Sequence, residues 1–580
     1  MAETKAPNTS AEQLITEHLD IWTTAIEQKS SSGRGSSKKF SLHGIKKLRE
    51  LILELAVRGK LVPQDPNDEP ASVLLERIAA EKAQLVKDKK IKKPKALPEI
   101  SEDEKPFELP KGWEWTRLQD IIQISSGKNL TSKKMVQGGD VPVYGGNGIT
   151  GYHDTYNVSS STLVIGRVGF YCGSVHITPD SAWVTDNAFI TRFDEEGLFI
   201  EFLYWLFKNT NLSKNDSATA QPVISGSKVY PIVVAIPPTK EQQRIVAKVD
   251  ELMSLCDALE AQTENSITAH QTLVEVLLEA LLQSPEQGAT PEQTAEQFQQ
   301  NWHRLSEHFD TLFTTIASID TLKQTILQLA VMGKLVPQNP NDEPAAKLLE
   351  RIAAEKAQLI KDKKIKKQKP LPAITDEEKP FELPRGWEWC RVWDVAELIT
   401  SGSRDWAKYY SDSGAIFVTM GNLARGDYRL RLDNLRYVSP PIGGEGSRTS
   451  LMKDDLLISI TGDVGNLGLI PEGFGEAYIN QHTCLLRFMS ECRNRYFPEL
   501  MRSPLASFQF NAPQRGIKNS FRLGDVGEMI IPLPPLCEQN QIVAKVDELM
   551  ALCDQLKARL TDAQTTKFHL TDAIVENSIN

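Results

Sequence analysis

The chain of 580 residues lacks several things, and each lack narrows the field. It has no run of about 18 apolar residues, so nothing in it reads as a membrane span. It has only seven cysteines (172, 256, 390, 484, 492, 537, 553), an odd number with no C-x-x-C. That speaks against a disulfide framework or a zinc site and for reduced thiols in a cytoplasm. The opening MAETKAPNTSAEQ has no apolar h-region, so no secretory signal is expected. There is no basic excess: net charge is −10, and any nucleic-acid contact must use local basic patches. There is no Walker A motif, no H-E-x-x-H, no nucleophile elbow, and no Asn/Asp-Pro-Pro-aromatic motif of amino-methyltransferases. A chain without these motifs positions something rather than doing chemistry.

What is present is duplication. Leu48–Ile121 aligns without a gap on Leu322–Val395 at an offset of 274, with about 54 of 74 positions identical. A second pair, PPTKEQQRIVAKVDELMSLCDALEA (237–261) and PPLCEQNQIVAKVDELMALCDQLKA (534–558), lies at an offset of 297. Two copies are too few for a solenoid. The order is that of a duplicated frame holding two inserts, roughly 107–236 and 381–533, which show no resemblance by eye. The expected divisions are 1–106 (N-terminal helices and first repeat), 107–236, 237–380 (central helices and second repeat), 381–533 and 534–580 (C-terminal helix).

The frame reads as helical. Ile245, Val249, Leu252, Cys256 and Leu259 recur at three and four, and the pattern resumes through Leu281, between Pro237-Pro238 and Ser284-Pro285. Its C-terminal copy runs through Ile542, Val546, Leu549, Cys553, Leu556 and Leu560. Forty such residues span about 60 Å. A further long helix is expected from Phe298 to Leu329, stopped by Gly333 and antiparallel to the central helix across the short link 284–292. The N-terminal segment 17–24 echoes 307–315 but is followed by the flexible-looking SSSGRGSSKK (30–39). It is the natural partner for the C-terminal helix, which would bring the chain ends together about an approximate two-fold. A helix over 68–90 ends in Lys87, Lys89, Lys90, Lys92, Lys93 and Lys95. That end suits either a solvated helix terminus or a strip that meets phosphate or a partner.

Each insert opens on L-P-(K/R)-G-W-E-W, where Trp113, Trp115, Trp387 and Trp389 suit a domain edge better than base stacking. Strand-like stretches follow, with a short helix near 196–210 and a closing strand before Pro-Pro. The fold class is therefore α/β: two mixed globules joined by long antiparallel coiled-coil helices. GNGITG (146–151) fits G-x-G-x-x-G, but no helix or βαβ unit follows, so it reads as a close-approach loop and not a dinucleotide site. Residues that read base edges or hold phosphate are frequent in both inserts. In the first they are Ser126, Lys128, Asn129, Lys133, Lys134, Asn147, Tyr152, Arg167, Asn187, Gln221 and Lys228. In the second they are Arg404, Asn422, Arg425, Arg429, Arg431, Asn466, Asn480, Gln481, His482, Arg515, Lys518 and Asn519.

Paired variable segments, each opened by L-P-x-G-W-E-W and closed by P-P-x-x-E-Q-x-x-I-V-x-K-V-D-E-L-M, resemble the DNA-specificity subunits of type I restriction–modification systems. The repeated LAVxGKLVPQ block is similar to the type IB branch. The resemblance covers essentially the whole chain. It implies two target-recognition domains that each read half of a split, asymmetric site in double-stranded DNA, held apart by the duplicated helices. It implies two methyltransferase subunits docked on the frame, with restriction/translocase subunits added. It also implies no cofactor in this chain: S-adenosylmethionine, ATP and Mg belong to the partners. Two other readings stay open: a self-contained DNA methyltransferase, opposed by the missing motifs, and a coiled-coil scaffold that binds no DNA.

Overall fold

The computed structural model describes residues 11–28, 40–169, 171–212, 223–283, 291–441, 443–444, 446–511 and 521–579. Two compact units emerge, one of residues 1–266 with 563–580, the other of residues 267–562.

The first unit begins with helices Ala11–Glu17 and Leu19–Thr24. A two-stranded ribbon follows, Ile26–Gln28 antiparallel to Phe40–Leu42. Residues 29–39, which include the whole Ser/Gly stretch, lie outside the described residues, but the ribbon on either side of them is paired. Helix His43–Val57 then turns its apolar stripe, Leu48, Leu51, Ile52 and Leu55, into the core. It ends before Gly59, whose φ of 66° is the left-handed conformation that closes a helix without a Cβ clash. The end of the C-terminal helix comes back to this region. Gln564 Oε1 accepts from the Ile26 amide at 3.1 Å, Phe568 packs on His43 at 4.8 Å between centroids, and Asp572 pairs with Lys47 at 3.4 Å. These contacts of the C-terminal helix fall on the ribbon and on helix His43–Val57, after the segment 17–24 that was expected to receive it.

The second unit repeats the helical plan, without a counterpart of that ribbon among the described residues. The expected long helix from 298 to 329 is three pieces: Pro291–Glu307, Phe309–Leu312 and Ile316–Val331. Thr315 is the reason for the second break. Its hydroxyl accepts from the Ser318 amide at 3.1 Å, so it starts a new helix. Apolar spacing continues through the break because Leu312 and Phe313 still face the core. The antiparallel pairing across the short link holds: His270 Nε2 meets the Leu312 carbonyl at 2.9 Å, and Asn301 donates to the Ala280 carbonyl at 3.0 Å.

The two long helices are continuous, Thr239–Leu282 and Leu536–Ile579, 44 residues each. At 1.5 Å per residue that is about 66 Å. The repeated GKLVPQ block packs against each helix start through matching bonds. Gln64 donates to Glu241 at 3.1 Å, and Gln338 to Glu538 at 3.1 Å. Arg49 pairs with Asp257 and Glu260, while its counterpart Lys323 pairs with Asp554. The basic strip Lys87–Lys95 is exposed.

Each insert is closed by its own first and last strands. Glu114–Arg117 pairs antiparallel with Val233–Ile236, and Glu388–Arg391 with Ile530–Leu533. Trp113 and Trp387 are buried at these seams, and Trp115 and Trp389 stack on Phe107 and Phe381 at 4.9 and 5.1 Å. The tryptophans anchor domain edges. Arg117 locks the first seam by donating to Glu104 (2.9 and 3.0 Å) and to the Pro231 carbonyl (2.7 Å). Arg391 does the same with Glu378 and the Glu528 carbonyl.

The inserts share no visible sequence, yet they share a fold. The first has a four-stranded sheet in the order Ile122–Ser126, Ala188–Phe193, Leu163–Gly166, Val175–Ile177. The second has Ala396–Ser401, Thr483–Phe488, Leu456–Ser459, Leu467–Leu469 in the same order and the same antiparallel sense. Each also has a second sheet with one parallel pair, Val143–Tyr144 on Trp183–Val184 and Ile416–Val418 on Ala477–Ile479. What repeats is the placing of buried apolar residues on the central strands, not the residues themselves.

Candidate nucleic-acid interface

The sheet register makes residues of the two inserts comparable. Ala188 faces Gly166, and Thr483 faces Ser459. One step outward, the Arg167 amide donates to the Asn187 carbonyl (2.9 Å) and the Ile460 amide to the His482 carbonyl (3.0 Å). Asp186-Asn187 and Gln481-His482 are therefore equivalent, as are Arg167 and Ile460. A glycine crosses this edge in both. A Cβ on Gly127 would lie 2.3 Å from the Val184 and Thr185 carbonyls, and one on Gly402 would lie 1.9 Å from the Ile479 carbonyl. Only glycine lets the first strand run so close to the next segment.

In the first insert this edge gathers most of the expected residues. Ser126 ends its strand, and Lys128 follows Gly127 with its amide on the Val184 carbonyl at 3.0 Å. Asn129 donates to Asp186 at 3.0 Å. The Arg167 guanidinium lies 5.3 Å over the Phe189 ring and touches Ser126 Oγ and the Asp186 carbonyl only at 3.4 and 3.5 Å. Its Nε is buried without a partner, so its donors are held in place but weakly used. Asn147 is exposed in the adjacent hairpin turn, whose Gly146 carbonyl accepts from Ser174 at 2.9 Å. Lys228 reaches the same edge because the Ile224 amide donates to the Arg167 carbonyl (2.9 Å), although its Nζ also donates to the Val223 carbonyl (3.1 Å). Lys133, Lys134 and Tyr152 form a second exposed group, joined by the Val136 amide on the Tyr152 carbonyl (3.0 Å). Gln221 lies outside the described residues.

In the second insert the equivalent edge carries a relay. Gln481 Nε2 donates to His482 Nε2 (2.8 Å), and His482 Nδ1 meets Thr461 Oγ1 (2.8 Å). The tautomer with its proton on Nδ1 satisfies both contacts. Asn480 holds the turn by accepting from the His482 amide at 3.0 Å. Arg425 pairs with Asp463 at 2.9 Å, and Asn466 donates to the same carboxylate at 3.0 Å. Arg404, Arg429 and Arg431 are exposed, and Arg429 is 89% accessible along its side chain. Asn422 differs from the rest. It is buried, its oxygen accepts from the Thr419 amide (2.9 Å), and its nitrogen donates to the Arg431 carbonyl (2.9 Å). It shapes the loop that displays Arg425 and Arg431. Arg515, Lys518 and Asn519 lie outside the described residues.

Sequence reasoning sought donors, so it passed over Asp186, Asp463 and Thr461. The doublets DN and QH, each directly before a largely buried strand, were the signal that marks the edge.

The arrangement displays Asp, Asn and Arg on one edge and Gln, His and Thr on its counterpart, above one shared scaffold. Such side chains read donor and acceptor patterns on base edges. Among the described residues no helix is long and apolar enough to cross a membrane. The family model for the type I restriction modification DNA specificity domain matches twice, at residues 110–269 and 384–563, the two inserts with their following helices. The type I restriction enzyme EcoAI specificity subunit of Escherichia coli is 41% identical over 98% of this chain and 100% of its own length. The EcoEI specificity subunit of Escherichia coli is 39% identical over the same shares. A solved structure, the HsdS subunit from Thermoanaerobacter tengcongensis, is 17% identical over 82% of this chain and 98% of its own, with a TM-score of 0.37. With a duplicated frame, two closed inserts on one scaffold, and relatives matched from end to end, this chain belongs to the DNA-specificity subunits of type I restriction–modification systems.

Proposed function

We propose that the chain reads a bipartite, asymmetric target in double-stranded DNA, the insert 107–236 taking one half-site and the insert 381–533 the other. One observation carries this: the same four-stranded sheet presents Asp186, Asn187 and Arg167 in one insert and Gln481, His482 and Ile460 at the matching positions of the other. Two readers of one shape and different chemistry make a target whose halves differ. The duplicated frame offers equivalent surfaces to two identical methyltransferase subunits, which restriction/translocase subunits join. S-adenosylmethionine, ATP and Mg act on those partners, and this chain positions them in the cytoplasm. Cys256, Cys390, Cys484, Cys492, Cys537 and Cys553 are free thiols, which fits a reducing compartment. The helices of about 66 Å are long enough to act as the ruler for an unread spacer, since half-sites one turn apart are separated by roughly 34 Å.

The test is to purify the chain with the methyltransferase subunit of its host and map methylated adenines on genomic DNA by single-molecule sequencing. Methylation at one split, non-palindromic motif is expected. A continuous motif, or none, would overturn the two-reader proposal.

A further inference from the structure

The first insert contains a cavity of about 450 Å³ lined by Tyr144, Asn147, Ile149, His176, Ile177 and Tyr204. Small-molecule sites span roughly 300–1,000 Å³. The lining is aromatic and uncharged. Burial keeps the His176 ring below the usual histidine range, which favours its neutral form. His176 Nε2 is buried and has no hydrogen-bond partner, a costly condition unless something completes it. The Lys208 ammonium stands 5.3 Å from the centre of the Tyr204 ring and makes no ion pair among the described residues.

The second insert shows that the fold does not require this void. On its sheet Leu457 faces Gly468 where Val164 faces His176 in the first. Val418 takes the place of Tyr144 beside the parallel strand. The space is closed there: a Cβ on Gly468 would fall 2.5 Å from a Leu430 methyl and 2.7 Å from a Leu423 methyl. One insert packs leucine where the other keeps an open cavity walled by two tyrosines and a histidine. Asn147 lines this cavity, and a Cβ on its neighbour Gly146 would lie 2.3 Å from the Val168 carbonyl and 3.6 Å from the Asn187 carbonyl, so the cavity opens beside the proposed DNA-reading surface.

We propose that this cavity receives one unstacked nucleobase of the strand that the first insert reads, between the faces of Tyr144 and Tyr204. The Asn147 amide meets the polar edge of the base, the His176 ring packs behind it, and Lys208 meets the adjoining phosphate. The inference rests on the DNA-reading function proposed above. Taking a base out of the stack is costly, and the cost is smallest where the base is already mispaired. Aromatic side chains supply a stacking surface that accepts any base, and a neutral imidazole suits an uncharged ring. The second insert, lacking the cavity, reads its half-site without this step.

The test uses the chain with its methyltransferase partner and duplexes carrying the target found by methylation mapping. Mismatches or abasic sites are placed one at a time opposite each base of both half-sites, and binding is measured by fluorescence anisotropy. At one position of the first half-site, other than the methylated adenine, the mismatch tightens binding at least fivefold. Nowhere in the second half-site does this happen apart from the methylated position. His176→Phe, which fills the cavity, abolishes that gain and weakens binding of the matched target about tenfold. Tyr204→Leu, altering a half-exposed ring, gives the same loss without threatening the fold, and melting curves check both variants. Mismatches that weaken binding throughout the first half-site would overturn the proposal, as would a gain that survives both substitutions. Equilibrium dialysis with free adenosine and thymidine separates the sources. Submillimolar binding without DNA would identify a free nucleoside as the occupant and overturn the strand-derived reading. If mapping yields no split motif, the DNA-reading function itself fails, and the two failures are thereby distinct.

Discussion

The E-Q pair after Pro-Pro is a joint, and breaking it has a calculable effect. Gln242 is fully buried at the start of its long helix. Its oxygen accepts from the Phe199 amide at 3.1 Å, and its nitrogen donates to the Gly197 and Pro237 carbonyls at 3.3 and 3.2 Å. Phe199 immediately precedes the helix Ile200–Asn209, so its N–H has no partner inside that helix. Gln242→Ala leaves this N–H buried and unpaired, a loss of about 1–3 kcal/mol, with roughly 1 kcal/mol more from the stranded carbonyls and lost packing. The counterpart Gln539 supports something less demanding. It accepts from the Asn494 side chain at 2.8 Å and donates to the Pro534 carbonyl at 3.0 Å. Asn494 is half-exposed and can turn to water, so Gln539→Ala costs about 1 kcal/mol. Hydrogen exchange by mass spectrometry on the full chain reads this directly. A loss of about 2–4 kcal/mol accelerates exchange of a peptide spanning Phe199 by roughly 30- to 700-fold. Unchanged protection around Phe199 in Gln242→Ala, or a larger effect from Gln539→Ala, would refute the reasoning.

Other outcomes follow from the same geometry. Gly127→Ala places a methyl against two carbonyls and Gly402→Ala does the same against one; each displaces its reading edge, and methylation in cells should lose discrimination at one half-site while retaining it at the other. Glu104 is held at about 2, chiefly by the Arg117 side chain and then by the Ser101 amide, below its ordinary 4.5. A carboxyl depressed in the folded state contributes stability that is present above pH 4.5 and lost as pH falls toward 2. Glu104→Gln therefore lowers the melting temperature at pH 7 and flattens its decline between pH 4.5 and 2; an unchanged acid limb would show the clamp to be idle. If Lys133 holds a phosphate, Lys133→Ala weakens binding about equally on target and non-target DNA and reduces the slope of log affinity against log salt by about 1. A loss confined to the target would make it a base reader.

Much of the frame was legible before any coordinates. Heptad-like spacing marked the central 44-residue helix within a few residues of its ends and the C-terminal one as far as Leu560, because a helix of that length needs an apolar stripe wherever it is covered. The break at 313–315 escaped, since Thr315 caps a helix without interrupting the apolar count. The candidate edge was legible as a pool of polar residues and not as a surface. Asn422 and Arg431 sit nine positions apart, yet one holds the loop from behind while the other is exposed on it. His176 gave no local signal: its meaning depends on Tyr144 and Tyr204, 32 positions before it and 28 after it.

The sequence by itself determined the duplication, the helical frame, the segments that vary, and the family, because repeats and periodicity are local properties of a chain. Tertiary structure decided that the two dissimilar inserts are one fold, since a sheet specifies which positions are buried and leaves open which apolar residues fill them. It also decided which polar residues share an edge and which insert holds an open cavity, since strand pairing joins residues far apart in the chain, such as Gly127 and Thr185.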